Sequence, residues 1–138
     1  ADSSNAILRL IRQALAERRI DFWGNGSEIR EYIHIRDAAI LAVDALDERF
    51  VGQALHITGR ERLTTGEIIA MINEMLGGDL IISMHDEPFE GRYRLTPYSF
   101  DGNNGRRITS ETYMDLGLGL LEAIRATSED LVAEDDAK

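Results

Sequence analysis

The spacing of apolar residues predicts alternating helices and strands. Within residues 5–19, apolar side chains recur at the spacing of one helix face, at Ile7, Leu8, Ile11, Ala14 and Leu15. Segments 19–23 and 29–35 have the composition of short strands. They flank Gly24 and Gly26, which favour a turn. The pattern therefore predicts a helix and then two strands joined by a hairpin turn.

The alternation continues through the rest of the chain. Asp37 has the position of an N-cap for a second helix reaching about Phe50, and a strand is expected within 53–58. Thr64 and Glu67 have the spacing of a capping box at the start of the next helix. Further elements are predicted as a strand, an irregular segment, a turn and a last helix, at 80–84, 87–100, 101–105 and 114–129. Such an order favours an α/β fold with some parallel pairing.

The amino-acid composition excludes several classes of function. A chain of 138 residues with 43% hydrophobic residues has the size and make-up of one globular domain. The net charge of -10 argues against sequence-independent nucleic-acid binding, and no apolar run reaches the roughly 18 residues of a membrane span. Cysteine is absent, which excludes thiolate catalysis and disulfides. A cytoplasmic location is the simplest expectation.

Common catalytic and cofactor motifs are missing. The body of the chain has no lysine, so a Walker-type phosphate loop is excluded. Gly24 and Gly26 supply two glycines of a dinucleotide fingerprint, but Ile29 stands at the third position, and a hairpin turn is the better interpretation. The three histidines are far apart and have no ligand spacing. We predict no catalytic residue, no cofactor-binding residue and no metal site in this chain.

Residues 22–46, "FWGNGSEIREYIHIRDAAILAVDAL", resemble a segment of the extended short-chain dehydrogenase/reductase family, the NAD-dependent sugar-nucleotide epimerases and dehydratases. That family has a strand, Gly-x-Gly, an Arg-acid-aromatic triplet, a few more residues including an Asp, and an Ala-rich helix. Here the triplet is Arg30, Glu31 and Tyr32. Further on, "LHITGRERLTTGEIIAMINEMLG" resembles the family's "Y-N-I-G" strand and Thr-capped helix, with His56 in the Asn place.

The resemblance implies the C-terminal, substrate-binding portion of such an enzyme, a mixed small sheet with flanking helices. Residues 1–128 would form this domain, and 129–138 an acidic tail. NAD or NADP would be bound in the parent enzyme by an N-terminal half whose glycine-rich loop this sequence lacks. The family's catalytic Tyr-x-x-x-Lys pair is also missing, so the isolated fragment is expected to be inactive. The implied partner is a nucleotide-sugar substrate, and homo-oligomers are compatible with the family.

Arg30 is the main candidate for binding. In the family, the Arg of this motif holds the pyrophosphate of the nucleotide sugar. A guanidinium presents a rigid fork of donors that matches phosphate oxygens, and the glycines nearby let backbone N–H groups approach an anion. The alternative is a surface salt bridge from Arg30 to Glu28 or Glu31.

The resemblance nominates further substrate-binding residues. Phe22 and Trp23 occupy the places that lie against the nucleotide base, although Trp23 could equally be a core residue. His56 is a candidate substrate contact or a strand-end cap. The family's second phosphate-binding Arg, in "R-P-G", is replaced here by Glu87, and Arg92 is the candidate substitute. Because this second arginine is missing, a non-catalytic acidic α/β module that binds a ligand or a protein remains the alternative function.

Overall fold

A computed structural model describes residues 5–85 and 105–137. The described helices are α1, α2, α3 and α4, at Ala6–Glu17, Ile35–Asp44, Thr65–Met75 and Leu116–Asp136, with a short 3-10 helix at Glu48–Phe50. The described strands are β1 to β6, at Arg19–Trp23, Ile29–Tyr32, Leu55–Ile57, Glu61–Thr64, Ile81–His85 and Arg106–Ile108. None of the described helices combines the length and the apolar composition of a membrane span. The α/β prediction is confirmed.

The described strands form three two-stranded sheets. β1 pairs with β5 and β3 with β6 in parallel, whereas β2 and β4 are antiparallel. The predicted hairpin between segments 19–23 and 29–35 is therefore wrong. The loop between β1 and β2 instead forms hydrogen bonds with distant segments. Gly24 N–H donates to the His85 carbonyl at 2.8 Å, and Gly66 N–H donates to the Gly26 carbonyl at 2.8 Å. These bonds direct β1 and β2 to different partner strands.

The starts of two helices show where local sequence rules succeed and fail. Thr64 and Glu67 form the predicted capping box of α3. The predicted cap of α2 is wrong, because His34 is the N-cap and its Nδ1 accepts the N–H of Arg36. Asp37 is buried inside α2, where its carboxylate accepts the N–H of Met114 at 2.8 Å. A contact with a distant loop thus replaces the expected local one.

The main hydrophobic core lies between α1, α3, α4 and β1, and consists of Leu10, Ile11, Ala14, Ile20, Ile68, Ile69, Ile72, Leu80 and Leu120. A smaller cluster is formed by Leu41, Phe50 and Ile108. The main core fixes α1 and β1, and these two elements make one wall of the groove described below.

The C-terminal part differs from prediction in extent. The last helix was expected to end at Glu129, but α4 continues to Asp136, so the acidic residues of the expected tail are helical and largely exposed. Arg12 of α1 forms an ion pair with Glu134 of α4, which ties this last part of the helix to the fold. Most of the predicted turn at 101–105 and the irregular segment 87–100 lie outside the described residues.

Candidate ligand-binding site

A groove of about 790 Å³ lies beside β1, β2 and α1, and we call it the Trp23 groove. Three predicted binding residues, Phe22, Trp23 and Arg30, line it together. Its other lining residues are Ala6, Ile7, Arg9, Leu10, Arg12, Gln13, Ala16, Glu17, Asp21, Glu28, Tyr32, Thr65 and Ile68. The groove thus combines aromatic rings with three arginines and three carboxylates, a composition suited to a ligand that has both a ring and charged or polar groups.

The loop between β1 and β2 forms the rim of this groove, and its shape depends on glycine. Gly24 has φ +143°, and a Cβ there would lie 2.4 Å from Glu28 Oε1 and 2.7 Å from Phe22 Cε1. The Glu28 carboxylate and the Phe22 ring therefore both occupy the space that a side chain at position 24 would need. Only glycine fits this arrangement.

Arg30 is half-buried on β2, and no carboxylate of the described residues neutralises it. Its Nη1 donates to the Ile29 carbonyl at 2.8 Å, and within the described residues it forms no ion pair. The alternative salt bridge to Glu28 or Glu31 is therefore not formed in the described structure. Its charge instead faces the groove.

Glu31 is occupied by other partners. Arg62 Nε donates to Glu31 Oε1 at 2.6 Å, and Thr58 Oγ1 donates to Oε2 at 2.6 Å. Arg107 Nη1 lies 3.5 Å from Oε1. Burial raises the pKa of Glu31, but these hydrogen bonds and the charge of Arg107 outweigh it and leave the pKa below its ordinary value. Glu31 therefore stays charged at neutral pH and stays engaged away from Arg30.

Tyr32, the aromatic member of the triplet, lines the groove as well, although it was not among the predicted binding residues. Burial raises its pKa above the ordinary value, and the charge of Arg30 opposes this shift. The phenol is therefore protonated at neutral pH and keeps an O–H donor. Its place beside Arg30 on β2 follows from the strand itself. Its burial depends on the main core, whose residues come from distant segments, so no local pattern predicts it.

Trp23 is held by an aromatic contact at the ends of two parallel strands. Its ring stacks on that of His85, with centroids 4.5 Å apart and an interplanar angle of 25°. His85 Nε2 lies 3.8 Å from Asp21 Oδ1, and Arg19 pairs with Asp21 at 2.7 Å. The hydrogen bond from Arg19 lowers the pKa of Asp21. Trp23 keeps 50% of its surface exposed, so it is a rim residue and not a core residue.

A second groove, of about 800 Å³, lies on the other side of Arg30 and Tyr32, which line both grooves. Its wall includes Arg60, whose guanidinium lies 5.0 Å from the ring centroid of Tyr113. His34 Nε2 approaches Glu122 at 3.5 Å in the same region. Arg30 therefore stands at the border of two adjoining cavities.

Of the other two predicted substrate residues, His56 is not brought to the Trp23 groove. His56 lies on β3 opposite Arg107 and packs against Gly105, where a Cβ would be 2.6 Å from its Cδ2 atom. It lines neither groove. Arg92 lies outside the described residues. Among residues 5–85 and 105–137, no group of three or more His, Cys, Asp or Glu side chains could hold a metal ion.

Residues 1–58 match the sequence profile of the NAD dependent epimerase/dehydratase family. Among curated protein sequences, none matches the chain significantly. The match to the profile covers the segment with Trp23, Gly24, Gly26 and Arg30, and it confirms the family resemblance noted from the sequence.

Solved structures of such enzymes have the same fold. UDP-glucuronic acid 4-epimerase of Bacillus cereus is similar with a TM-score of 0.74 and 20% identity, over 91% of this chain and 40% of that one. dTDP-glucose 4,6-dehydratase of Bacillus anthracis gives 0.70 and 19%, over 91% and 39%. ADP-L-glycero-D-manno-heptose-6-epimerase of Helicobacter pylori gives 0.65 and 17%, over 92% and 38%. The chain therefore has the α/β fold of one portion of an extended short-chain dehydrogenase/reductase, and spans about 40% of the length of these structures.

Proposed function

We propose that this chain is the substrate-binding portion of an NAD-dependent sugar-nucleotide epimerase or dehydratase, and that Arg30 holds the pyrophosphate of the nucleotide sugar. The observation that carries the proposal is the position of Arg30. Its guanidinium is half-buried in a groove with Trp23 and Phe22, and it has no carboxylate partner among the described residues.

The chemistry of the groove fits such a ligand. A diphosphate offers oxygens to a planar fork of donors, and a partly desolvated guanidinium binds them more strongly than an exposed one. Trp23 presents an exposed ring on the same rim, on which the ligand's base can stack. The B. cereus relative was solved with a UDP-sugar derivative and NAD, which supports the same ligand class here.

The catalytic step belongs to a part of the enzyme outside this chain. NAD or NADP would be bound there, and this chain alone would neither bind NAD(H) nor turn over a nucleotide sugar. The absence of a Tyr-x-x-x-Lys pair from the sequence supports this assignment. We further propose a cytoplasmic enzyme without a nucleic-acid or membrane partner, in keeping with its net charge of -10.

The fluorescence of Trp23 tests the location of the site, because Trp23 is the only tryptophan in the sequence. Titration with UDP or dTDP should change its emission saturably, while NADH should not bind. Arg30→Ala should weaken the response, whereas Arg125→Ala, which removes an exposed arginine of α4, should not. Saturable NADH binding would contradict the assignment of the cofactor to another part of the enzyme.

The second candidate is a non-catalytic acidic α/β module that binds a protein. The exposed apolar side chains of α2 and the turn after it, Ile35, Val43 and Leu46, favour it. The two candidates differ in the Trp23 groove. Only the first requires that nucleoside diphosphates bind there and that the binding depend on Arg30.

A further inference from the structure

Glu28 carries a carboxylate for which the described residues supply no hydrogen-bond partner. Its Oε2 atom is buried and has no hydrogen bond, and within the part of the chain that the structure describes no arginine pairs with it. This is notable because Arg9 and Arg30 line the same groove. A buried acceptor, and above all a charged one, is unfavourable unless a donor reaches it.

The fold uses the backbone of Glu28 and not its side chain. The Glu28 carbonyl accepts the N–H of Thr65 at 2.9 Å and the Thr65 hydroxyl at 3.3 Å. These bonds connect the loop to the start of α3 whatever side chain stands at position 28. The carboxylate, which lies beside Gly24, makes no comparable hydrogen bond within the described residues. Because Glu28 lines the groove, a ligand bound there would lie beside this unsatisfied group.

We propose that Glu28 is a specificity-determining residue, whose carboxylate accepts hydrogen bonds from the nucleoside part of the ligand. This inference rests on the proposed function, in which Arg30 binds the diphosphate. A carboxylate repels phosphate, so it must face the other end of the ligand, on the side of Phe22 and Trp23. Its partners are adjacent N–H or O–H donors.

Two parts of a nucleoside offer such donors. The edge of guanine presents N1–H and N2–H side by side, whereas uracil presents a single N3–H flanked by carbonyl oxygens that a carboxylate repels. The ribose diol presents two hydroxyls, which a 2′-deoxynucleotide lacks. Because a site built for donors rejects ligands without them, each case predicts a distinct preference.

Calorimetric titration of GDP, dGDP, UDP and dUDP into the chain distinguishes these cases. Contact with the base predicts that GDP and dGDP bind about ten- to a hundredfold more tightly than UDP and dUDP. Contact with the diol predicts the same preference for GDP and UDP over the two deoxynucleotides. In either case Glu28→Gln should remove the preference, while Glu129→Gln, at an exposed position of α4, should retain it.

The thermal unfolding midpoint of ligand-free Glu28→Gln is the second measurement. It should equal or exceed that of the wild type, because the variant loses no protein hydrogen bond. Equal affinity for all four nucleotides, a preference that survives Glu28→Gln, or a Glu28→Gln variant that fails to fold would each overturn the inference alone. If none of the four nucleotides binds, both the inference and the proposed function are wrong.

Discussion

Arg62 Nε donates to Glu31 Oε1 at 2.6 Å across the antiparallel pair β2–β4. Adjacent residues of a strand point to opposite faces, so this bond draws Glu31 away from Arg30. The Glu31 side chain is only 15% exposed and is held further by Thr58 and Arg107. Within the described residues, Glu31 is therefore paired with other groups and does not neutralise the charge of Arg30.

We expect the hydrogen bonds and ion pairs of Glu31 to make the free energy of unfolding depend on pH. The folded pKa of Glu31 lies below its ordinary value of 4.5, so its contribution is fully present above that pH. The contribution is lost as the pH falls through the folded pKa. Urea unfolding of the wild type and Glu31→Gln at neutral pH should differ by about 1–2 kcal/mol. The difference should shrink in acid, and a constant difference would contradict the network's role.

Gly24→Ala should destabilise the chain more than Gly52→Ala. Both glycines have positive φ, at +143° and +72°, so both substitutions strain the backbone. A Cβ at Gly24 also meets Glu28 and Phe22, whereas a Cβ at Gly52 has no heavy atom within 4 Å among the described contacts. We expect a cost of about 1–3 kcal/mol for Gly24→Ala, measured by urea unfolding. Equal costs would show that the loop relaxes around the new side chain.

Thr64→Ala should weaken the start of α3. It removes the hydroxyl that accepts the N–H of Glu67 in the capping box. Loss of such a cap costs about 0.5–2 kcal/mol, which equilibrium unfolding resolves. Thr112→Ala, in an exposed loop, is the matched control and should leave the free energy of unfolding unchanged.

Exposed apolar side chains at the end of α2 should cause self-association. Leu46 is 82% exposed and Val43 is 68% exposed, and contiguous apolar surface of this kind favours contacts between molecules. Light scattering at high concentration should detect oligomers, and Val43→Glu with Leu46→Glu should reduce them. Val132→Glu, at an exposed apolar position of α4, should have little effect. A wild-type chain that stays monomeric would contradict this prediction.

The local sequence predicted the elements that local interactions define. The extents of α1, α3, β1 and β5 follow from periodicity and from the Thr64 capping box. β4 and β6 were missed because their sequences, ERLT and RRI, are mostly polar and show no apolar alternation. The hairpin prediction failed because β1 pairs in parallel with β5, a distant segment that no nearby residue reveals.

The candidate site likewise contains residues predicted from a local motif and residues that only long-range contacts bring together. Phe22, Trp23 and Arg30 were predicted from one continuous motif, and the fold brings them to one groove. His85 was not predicted beside Trp23, because their contact depends on the register of two parallel strands. Glu28 was considered only as a partner for Arg30. The burial of its Oε2 atom without a hydrogen bond depends on the folded loop, which sequence spacing does not show.

The binding of UDP to variants of Arg30 tests the central claim most directly. Loss of a charge-assisted contact with the diphosphate should make Arg30→Ala bind about ten- to a hundredfold more weakly than the wild type by calorimetry. Arg30→Lys should recover part of the loss, since an ammonium keeps the charge but lacks the fork of donors. Arg125→Ala should bind as the wild type does. Equal UDP affinities for the wild type, Arg30→Ala and Arg30→Lys would contradict the assignment of Arg30 as the diphosphate-binding residue.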